Sequence, residues 1–220
     1  MKNRIFAIAL IVVLAVASLT GCGKKQVGDI TVGAGESAVY IQENGKVSYA
    51  IGEAFDQDYY DKKELKNLIK EEIKTFNEDK HSAKLNSYWV ENKLVTAIMT
   101  FSSIDEYLDY VYDCNGVAKE DFFIGGISDA LANDYEIVGE FTKVEDGALS
   151  QDTALSSDIK NMAFDIVILK TPAKFQVENG DIKYVSSNCK VDNNIVTVGD
   201  DLCSNADGEQ ECTYIIYSQN

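Results

Sequence analysis

The sequence predicts an α+β fold: a mostly antiparallel sheet built from hairpins, with two main amphipathic helices packed on one side. Three segments in which β-forming residues flank a short polar turn predict hairpins, whose strands pair antiparallel. Two segments with apolar residues at helical spacing predict helices. Because hairpins outnumber helices, we expect the helices to lie on one side of the sheet rather than to alternate with its strands.

The three predicted hairpins span residues 38–51, 87–101 and 174–185. The first and the third turn on the same tripeptide, Glu-Asn-Gly, and the second turns on Glu-Asn-Lys. Asn and Gly both tolerate the positive φ of the tight type I′ turn. The sequence therefore predicts type I′ turns at the Asn-Gly positions.

Both predicted helices begin at a capping residue, Asp61 for residues 62–77 and Ser103 for the helix that stops near Gly116. A glutamate follows each cap by three residues, which is the spacing of a capping box. The apolar positions predicted to face the sheet are Leu65, Leu68, Ile69, Ile73 and Phe76 in the first helix and Ile104, Tyr107, Leu108 and Val111 in the second.

Shorter elements complete the predicted fold. They are a buried strand at 122–124, a short helix at 127–133, a long polar loop at 145–161 that can partly order as helix, and strands at 164–169, 190–191, 195–198 and 213–217.

The first 25 residues have the parts of a bacterial secretory signal peptide. Lys2 and Arg4 precede an apolar run at 5–19, which is shorter than the roughly 20 residues that a membrane-spanning helix needs. The sequence Leu-Thr-Gly-Cys that ends at Cys22 resembles the lipobox of bacterial lipoproteins, in which the Cys thiol is diacylated and the chain is cleaved before it. The resemblance implies a lipid anchor on Cys22; an ordinary signal peptide that leaves Cys22 a thiol is the alternative.

We therefore expect three regions: a cleaved signal peptide at 1–21, a lipidated Cys with a flexible, glycine-rich tether at 22–36, and a single globular domain at 37–220. The expected location is the extracytoplasmic side of the cell membrane.

The charge excludes several classes of partner. The 220-residue chain has a net charge of −16, and removal of residues 1–21 takes away Lys2 and Arg4. The mature chain then has 18 Lys against 36 acids, a net charge of −18, and no Arg. Such a chain repels nucleic acid and anionic lipid headgroups. We expect a monomer that contacts the membrane through its lipid and binds another envelope protein or a cell-wall component.

Four cysteines remain after Cys22, and none of their spacings is that of a zinc or thioredoxin-type site. Cys203 and Cys212 flank a polar, turn-like segment and are the favoured disulfide, with four unpaired thiols as the alternative. His81 is the only histidine and lies in a polar run, which predicts an exposed loop residue. The acidic segments do not match the EF-hand pattern. We expect no metal and no cofactor.

A set of short segments runs through most of the mature chain: Asp58–Asp61, Glu64-Leu65, Glu72-Ile73, Phe122–Gly125, Asp129-Ala130, Ile182–Ser186 and Tyr214–Tyr217. Together these segments resemble a group of uncharacterised lipoproteins from Gram-positive anaerobes such as clostridia. The resemblance implies a surface-exposed, membrane-tethered domain and brings no known activity.

The leading hypothesis is a membrane-anchored extracytoplasmic lipoprotein with a non-catalytic binding or envelope-interaction role. One alternative is an exported hydrolase that uses paired carboxylates. Another is a lipoprotein that captures a small ligand or cation with aromatic and acidic side chains. The sequence leaves open whether the protein is an enzyme and favours a protein that is not.

Overall fold

The computed structural model describes residues 26–199 and 212–219. It confirms a mixed α+β fold rich in antiparallel strand pairs. The described chain divides into two compact units, where the sequence predicts one domain: residues 26–39 with 45–116, and residues 40–44 with 117–199 and 212–219.

The first unit contains four neighbouring strands in the order β1-β2-β4-β3 and two helices. The strand β4 pairs antiparallel with β2 on one side and β3 on the other. The last two residues of β1 belong to the second unit. The elements are β1 (Glu36–Ile41), β2 (Val47–Ala54), α1 (Lys62–Phe76), β3 (Lys84–Glu91), β4 (Leu94–Phe101) and α2 (Ile104–Asp113).

Both predicted caps are confirmed. The Asp61 carboxylate accepts hydrogen bonds from the backbone N–H groups of Lys63 and Glu64, and the Ser103 hydroxyl accepts one from the N–H of Glu106. These bonds satisfy N–H groups that have no partner inside a helix. The helix α1 packs on β3 and β4 through a narrower face than predicted. Leu68, which is predicted to face the sheet, is 54% exposed.

The second unit contains a six-stranded antiparallel sheet in the order β5-β8-β13-β10-β6-β7 and a separate antiparallel ladder in the order β9-β12-β11. The core of the six-stranded sheet includes Phe141, Ile166, Ile168 and Ile216. The elements are β5 (Phe122–Gly126), α3 (Ile127–Ala132), β6 (Glu140–Glu145), β7 (Ala148–Leu155), α4 (Ser156–Ile159), β8 (Asp165–Leu169), β9 (Ala173–Val177), β10 (Gly180–Ser186), β11 (Lys190–Asp192), β12 (Ile195–Val198) and β13 (Thr213–Gln219).

The type I′ turns lie at other positions than predicted. Asn92 and Lys93, which join β3 to β4, both have positive φ, and so do the two central residues of the β6–β7 and β11–β12 turns. This is the geometry that matches the twist of paired strands. At the predicted first turn only Gly45 has positive φ, so the type I′ prediction is wrong there.

The third predicted hairpin is also wrong, because β9 and β10 are joined by a two-residue turn but belong to different ladders. Gly180 does not have a positive φ. A Cβ at Gly180 would lie 2.3 Å from the carbonyl oxygen of Ser218 on β13. The absence of a side chain at Gly180 therefore permits the close approach of β10 and β13 and does not serve a left-handed turn.

The predicted polar loop at 145–161 orders in part as the short helix α4, as expected, but most of it is the strand β7, which the sequence does not predict. The strand lies at the edge of the six-stranded sheet and most of its residues are exposed. An exposed edge strand needs no alternation of apolar and polar residues. The sequence therefore carries no strand signal at this position.

The described part of the expected tether is folded. Val27, Ile30 and Val32 are buried, and the backbones of Val27 and Ile30 exchange two hydrogen bonds. The N–H of Gly35 donates to the carbonyl of Gly52 on β2 at 2.9 Å. Folded structure is thus present from Val27 onward, well before residue 37. Among the described residues, no helix is both long enough and apolar enough to span a membrane.

The two Glu-Asn-Gly turns give a matched pair of substitutions. Gly180→Ala should lower the free energy of unfolding by about 2 to 3 kcal/mol, because β10 and β13 must separate to admit the new methyl group. Gly45→Ala should cost only about 1 kcal/mol, since open space surrounds Gly45 and the cost is left-handed strain alone. Urea unfolding of both variants measures the difference, and equal losses would contradict the assigned role of Gly180.

Candidate functional site

Two of the three predicted site residues, Cys22 and Cys203, lie outside the described residues. The lipid anchor and the Cys203–Cys212 disulfide therefore stay predictions. Cys212 directly precedes β13 and is partly buried. Burial raises the pKa of its thiol, and the nearby ammonium of Lys170 opposes that shift. A thiol with a raised pKa is mostly protonated at neutral pH and is a weak nucleophile.

The other described cysteines lie in structural positions. Cys114 caps the C-terminal end of α2, and Cys189 is buried, 3.8 Å from the hydroxyl of Ser186. Within residues 26–199 and 212–219, no group of three or more His, Cys, Asp or Glu side chains could hold a metal ion.

A buried carboxylate organises the first unit. Glu106, on the first turn of α2, is 5% exposed. Its carboxylate accepts hydrogen bonds from the backbone N–H groups of Ser82 and Ser102 and from both hydroxyls. Burial alone would raise the pKa of Glu106, but these hydrogen bonds outweigh burial, and the pKa lies below its ordinary value. The capping-box spacing therefore marks a carboxylate that binds two loops.

His81 is not the exposed loop residue that the sequence predicts. Its ring stacks in parallel on Phe76, with centroids 4.0 Å apart. Its Nδ1 lies 3.0 Å from the carbonyl oxygen of Phe76, and its Nε2 lies 3.4 Å from Oδ2 of Asp109. The hydrogen bond to the Phe76 carbonyl raises the pKa of His81, burial opposes it, and Asp109 adds to the rise.

A cluster of tyrosines surrounds a second acid of the same unit. The hydroxyl of Tyr110 donates to the carboxylate of Glu72, and the rings of Tyr49 and Tyr107 pack 5.4 Å apart. Burial raises the pKa of Glu72 although the Tyr110 hydroxyl lowers it, and burial raises the pKa of Tyr49 to about 12. The tyrosines remain protonated donors at neutral pH, so the cluster fixes α1 against α2 through a phenol–carboxylate bond.

Two acids of the second unit, Asp165 on β8 and Asp129 on α3, influence each other electrostatically. Burial raises the pKa of Asp165 on β8, and the negative charge of Asp129 on α3 raises it further. Asp129 itself is exposed.

An aromatic and acidic loop precedes α1. The rings of Phe55 and Tyr60 lie 5.1 Å apart, and Tyr59 packs edge-to-face on Tyr60 at 4.9 Å. Tyr59 is 43% exposed, and Asp56 and Asp58 between these rings are also exposed. Exposed aromatic faces beside carboxylates attract organic cations. The same unit holds such a contact internally, with the Lys66 ammonium 5.6 Å from the ring centre of Tyr88.

A cavity of about 230 Å³ in the second unit lies beside the β6–β7 and β11–β12 turns. It is smaller than a typical pocket for a drug-sized ligand. The Asp181 carboxylate on its wall is paired with Lys183 at 2.9 Å. The lining residues are Val144, Asp146, Gly147, Asp181, Ile182, Lys183 and Asn194.

No protein-family model, no curated protein and no solved structure matches the chain.

Sequence patterns could reveal only part of these contacts. The spacing of Ser103 and Glu106 indicates a helix start, but the bond from Ser82 joins residues 24 positions apart. Phe76 and His81 lie on either side of the end of α1, where the predicted helix stops and helical spacing no longer applies. These pairings depend on how α1, α2 and β3 come together.

Replacement of Glu106 tests the buried carboxylate. Glu106→Gln keeps the shape but gives the serine donors a weaker, neutral acceptor, and should cost about 1.5 to 3 kcal/mol near pH 7. Because the pKa of Glu106 is lowered in the folded state, its contribution is present above its unfolded pKa and lost as pH falls through its folded pKa. The variant should therefore lose less stability than the wild type on acidification.

Urea unfolding at pH 7 and at pH 3 to 4 measures both effects. Glu71→Gln is the matched control, because its side chain is 71% exposed on α1. Equal losses for the two variants at pH 7 would mean that the Glu106 carboxylate does not organise the unit.

Proposed function

We propose that the protein is a membrane-anchored extracytoplasmic lipoprotein that binds another envelope component without catalysing a reaction. The observation that carries the proposal is the Leu-Thr-Gly-Cys sequence ending at Cys22, which follows a basic start and an apolar run of lipoprotein type. In this proposal residues 1–21 are removed and diacylglycerol on the Cys22 thiol holds the chain at the membrane. The two longer helices, α1 and α2, would cover one side of the sheet.

Val27, the first buried residue of the part of the chain that the structure describes, supports a domain held close to the membrane. Val27 is 4% exposed and lies five residues after Cys22. At about 3.3 to 3.6 Å per residue, this segment reaches at most roughly 18 Å. A lipid on Cys22 would therefore hold the first unit at the membrane surface rather than far out in the cell wall.

The charge supports a protein or cell-wall partner rather than a lipid surface. The mature chain has a net charge of −18 and no Arg, so anionic headgroups repel it. Opposite charges on two proteins steer their association, so a partner with a basic surface would complement this acidic chain. We expect the partner to present such a surface near the membrane and the protein to be a monomer.

Lipid labelling tests the anchor. In cells given an alkyne-tagged fatty acid, the wild-type chain should carry the label and fractionate with membranes, because Cys22 is the acceptor thiol. Cys22→Ala should lose the label and its membrane association, while Cys114→Ala should keep both. Label that persists in Cys22→Ala, or an unlabelled cytoplasmic wild type, would overturn the anchor.

Crosslinking on intact cells tests the binding role. The wild-type chain should give a discrete crosslinked species from the membrane fraction that disappears in Cys22→Ala, because the anchor sets the local concentration. A labelled, membrane-bound wild type without any crosslinked species would support the anchor and contradict the binding role.

A second candidate function, capture of an organic cation, is favoured by the exposure of Tyr59 beside Tyr60, Asp56 and Asp58. Each exposed cation–π contact is worth about 0.5 to 1 kcal/mol, and neighbouring carboxylates add to it. A small quaternary ammonium ion suits this surface because it is weakly hydrated and positively charged.

Titration with tetramethylammonium tests this candidate. Saturable shifts of the Tyr59 and Tyr60 ring resonances should appear in the wild type and vanish in Tyr59→Ala, while Leu68→Ala, which removes another exposed apolar side chain, should bind normally. Shifts that an equal concentration of sodium chloride reproduces would exclude specific capture.

A further inference from the structure

The turn formed by residues 80–83 connects the end of α1 to β3. It follows a single 3₁₀ turn at Asn77–Asp79, and Lys80 has a left-handed φ of 70°. The amide of Asn77 donates to the carbonyl of Ala83 at 2.9 Å, and the N–H of Ser82 donates to the Glu106 carboxylate. The 80–83 turn is thus held from α1 on one side and from α2 on the other.

The protonation state of His81 decides whether its ring can make hydrogen bonds to both of its neighbours, Phe76 and Asp109. Both ring nitrogens face oxygen atoms that can only accept hydrogen bonds: the carbonyl of Phe76 and the carboxylate of Asp109. The neutral ring has one N–H, so one of the two contacts must be lost. The imidazolium ion has two N–H groups and satisfies both.

We infer that His81 is a pH-dependent latch, which in its protonated form fastens the 80–83 turn to α2 through Asp109 and which releases when it loses its proton. With the neutral ring donating to Phe76, the lone pair of Nε2 faces the negative charge of Asp109 and repels it. Stacking on Phe76 and the Ser82–Glu106 bond do not need the charge, so the turn loosens without unfolding of the unit. This inference concerns the first unit alone and does not depend on the proposed anchor.

Most of the surrounding charges favour the protonated form. Asp109 and Glu106 face His81 from α2, and the Phe76 carbonyl faces it from α1. In its own segment, Glu78 and Asp79 add negative charge and Lys80 adds one positive charge, and all three side chains are exposed. Because the folded pKa of His81 is raised, the stabilisation is fully present below the unfolded pKa near 6.5 and is lost as pH rises through the folded pKa.

NMR titration tests the latch directly, because the chain contains a single histidine and its ring signals need no assignment among several. In the full-length wild-type protein the His81 pKa should lie above 6.5. Asp109→Asn should lower it, because the variant replaces the charged acceptor with a neutral amide of the same shape. Asp113→Asn, which removes an exposed carboxylate one helical turn further along α2, should leave it unchanged.

Amide hydrogen exchange provides a second readout that a merely structural role would not move. After correction for intrinsic rates, residues 80–83 should be better protected at pH 5.5 than at pH 8 in the wild type, and Asp109→Asn should abolish this difference. A wild-type His81 pKa at or below 6.5 would overturn the latch, and so would an unchanged pKa in Asp109→Asn. The wild-type titration decides the matter even where a variant fails to fold.

Discussion

The Glu106 carboxylate is the group on which the arrangement of the first unit depends. It lies on the first turn of α2, and the chain on either side of the β3–β4 hairpin meets it: Ser82 shortly before β3 and Ser102 directly after β4. A buried charge without partners would cost several kcal/mol, so the fold must supply donors. Two backbone N–H groups and two hydroxyls meet that need, and α2 is thereby fixed to both ends of the hairpin.

Glu106 and His81 respond to pH in opposite directions although both hold the same turn. The Glu106 carboxylate stays charged down to acid pH, while His81 gains its second contact only when protonated. In the mildly acidic range both are charged, and the turn has all of its contacts. At alkaline pH the Glu106 contact alone carries charge. The turn therefore has one permanent attachment to α2, through Ser82, and one conditional attachment to α2, through the adjacent His81.

Local signals in the sequence predict the elements, and the assembly of the fold decides their partners. Asp61 and Ser103 mark helix starts because a cap acts within three residues. The same Glu-Asn-Gly tripeptide, however, ends in a left-handed Gly45 in one place and in a closely packed Gly180 in the other. Its chemistry is identical, and only the nearby strand β13 distinguishes the two. The edge strand β7 lacks an apolar pattern because most of its residues are exposed and it lies at the edge of its sheet.

In the candidate site, too, some features are visible in the sequence and others depend on the assembled fold. The charge, the single histidine and the lipobox-like Cys22 are properties of the chain and could be read from it. The contacts of His81 with Phe76 and Asp109 required α1 and α2 to be placed together, so composition suggested an exposed residue where the fold makes a stacked one.

The proposed anchor and the early start of folded structure constrain each other. If the lipid is on Cys22, the buried Val27 lies at most roughly 18 Å along the chain from the lipidated residue. This distance is about two Debye lengths at physiological ionic strength. A mature chain with 36 acids and no Arg is repelled by anionic headgroups within that distance. In the proposed arrangement the short connection and the repulsion would act against each other, and the lipid would be the sole attachment to the bilayer. A partner must then reach the domain in the layer next to the membrane, and a basic surface on that partner would be drawn there by the same charge that keeps the domain off the lipid.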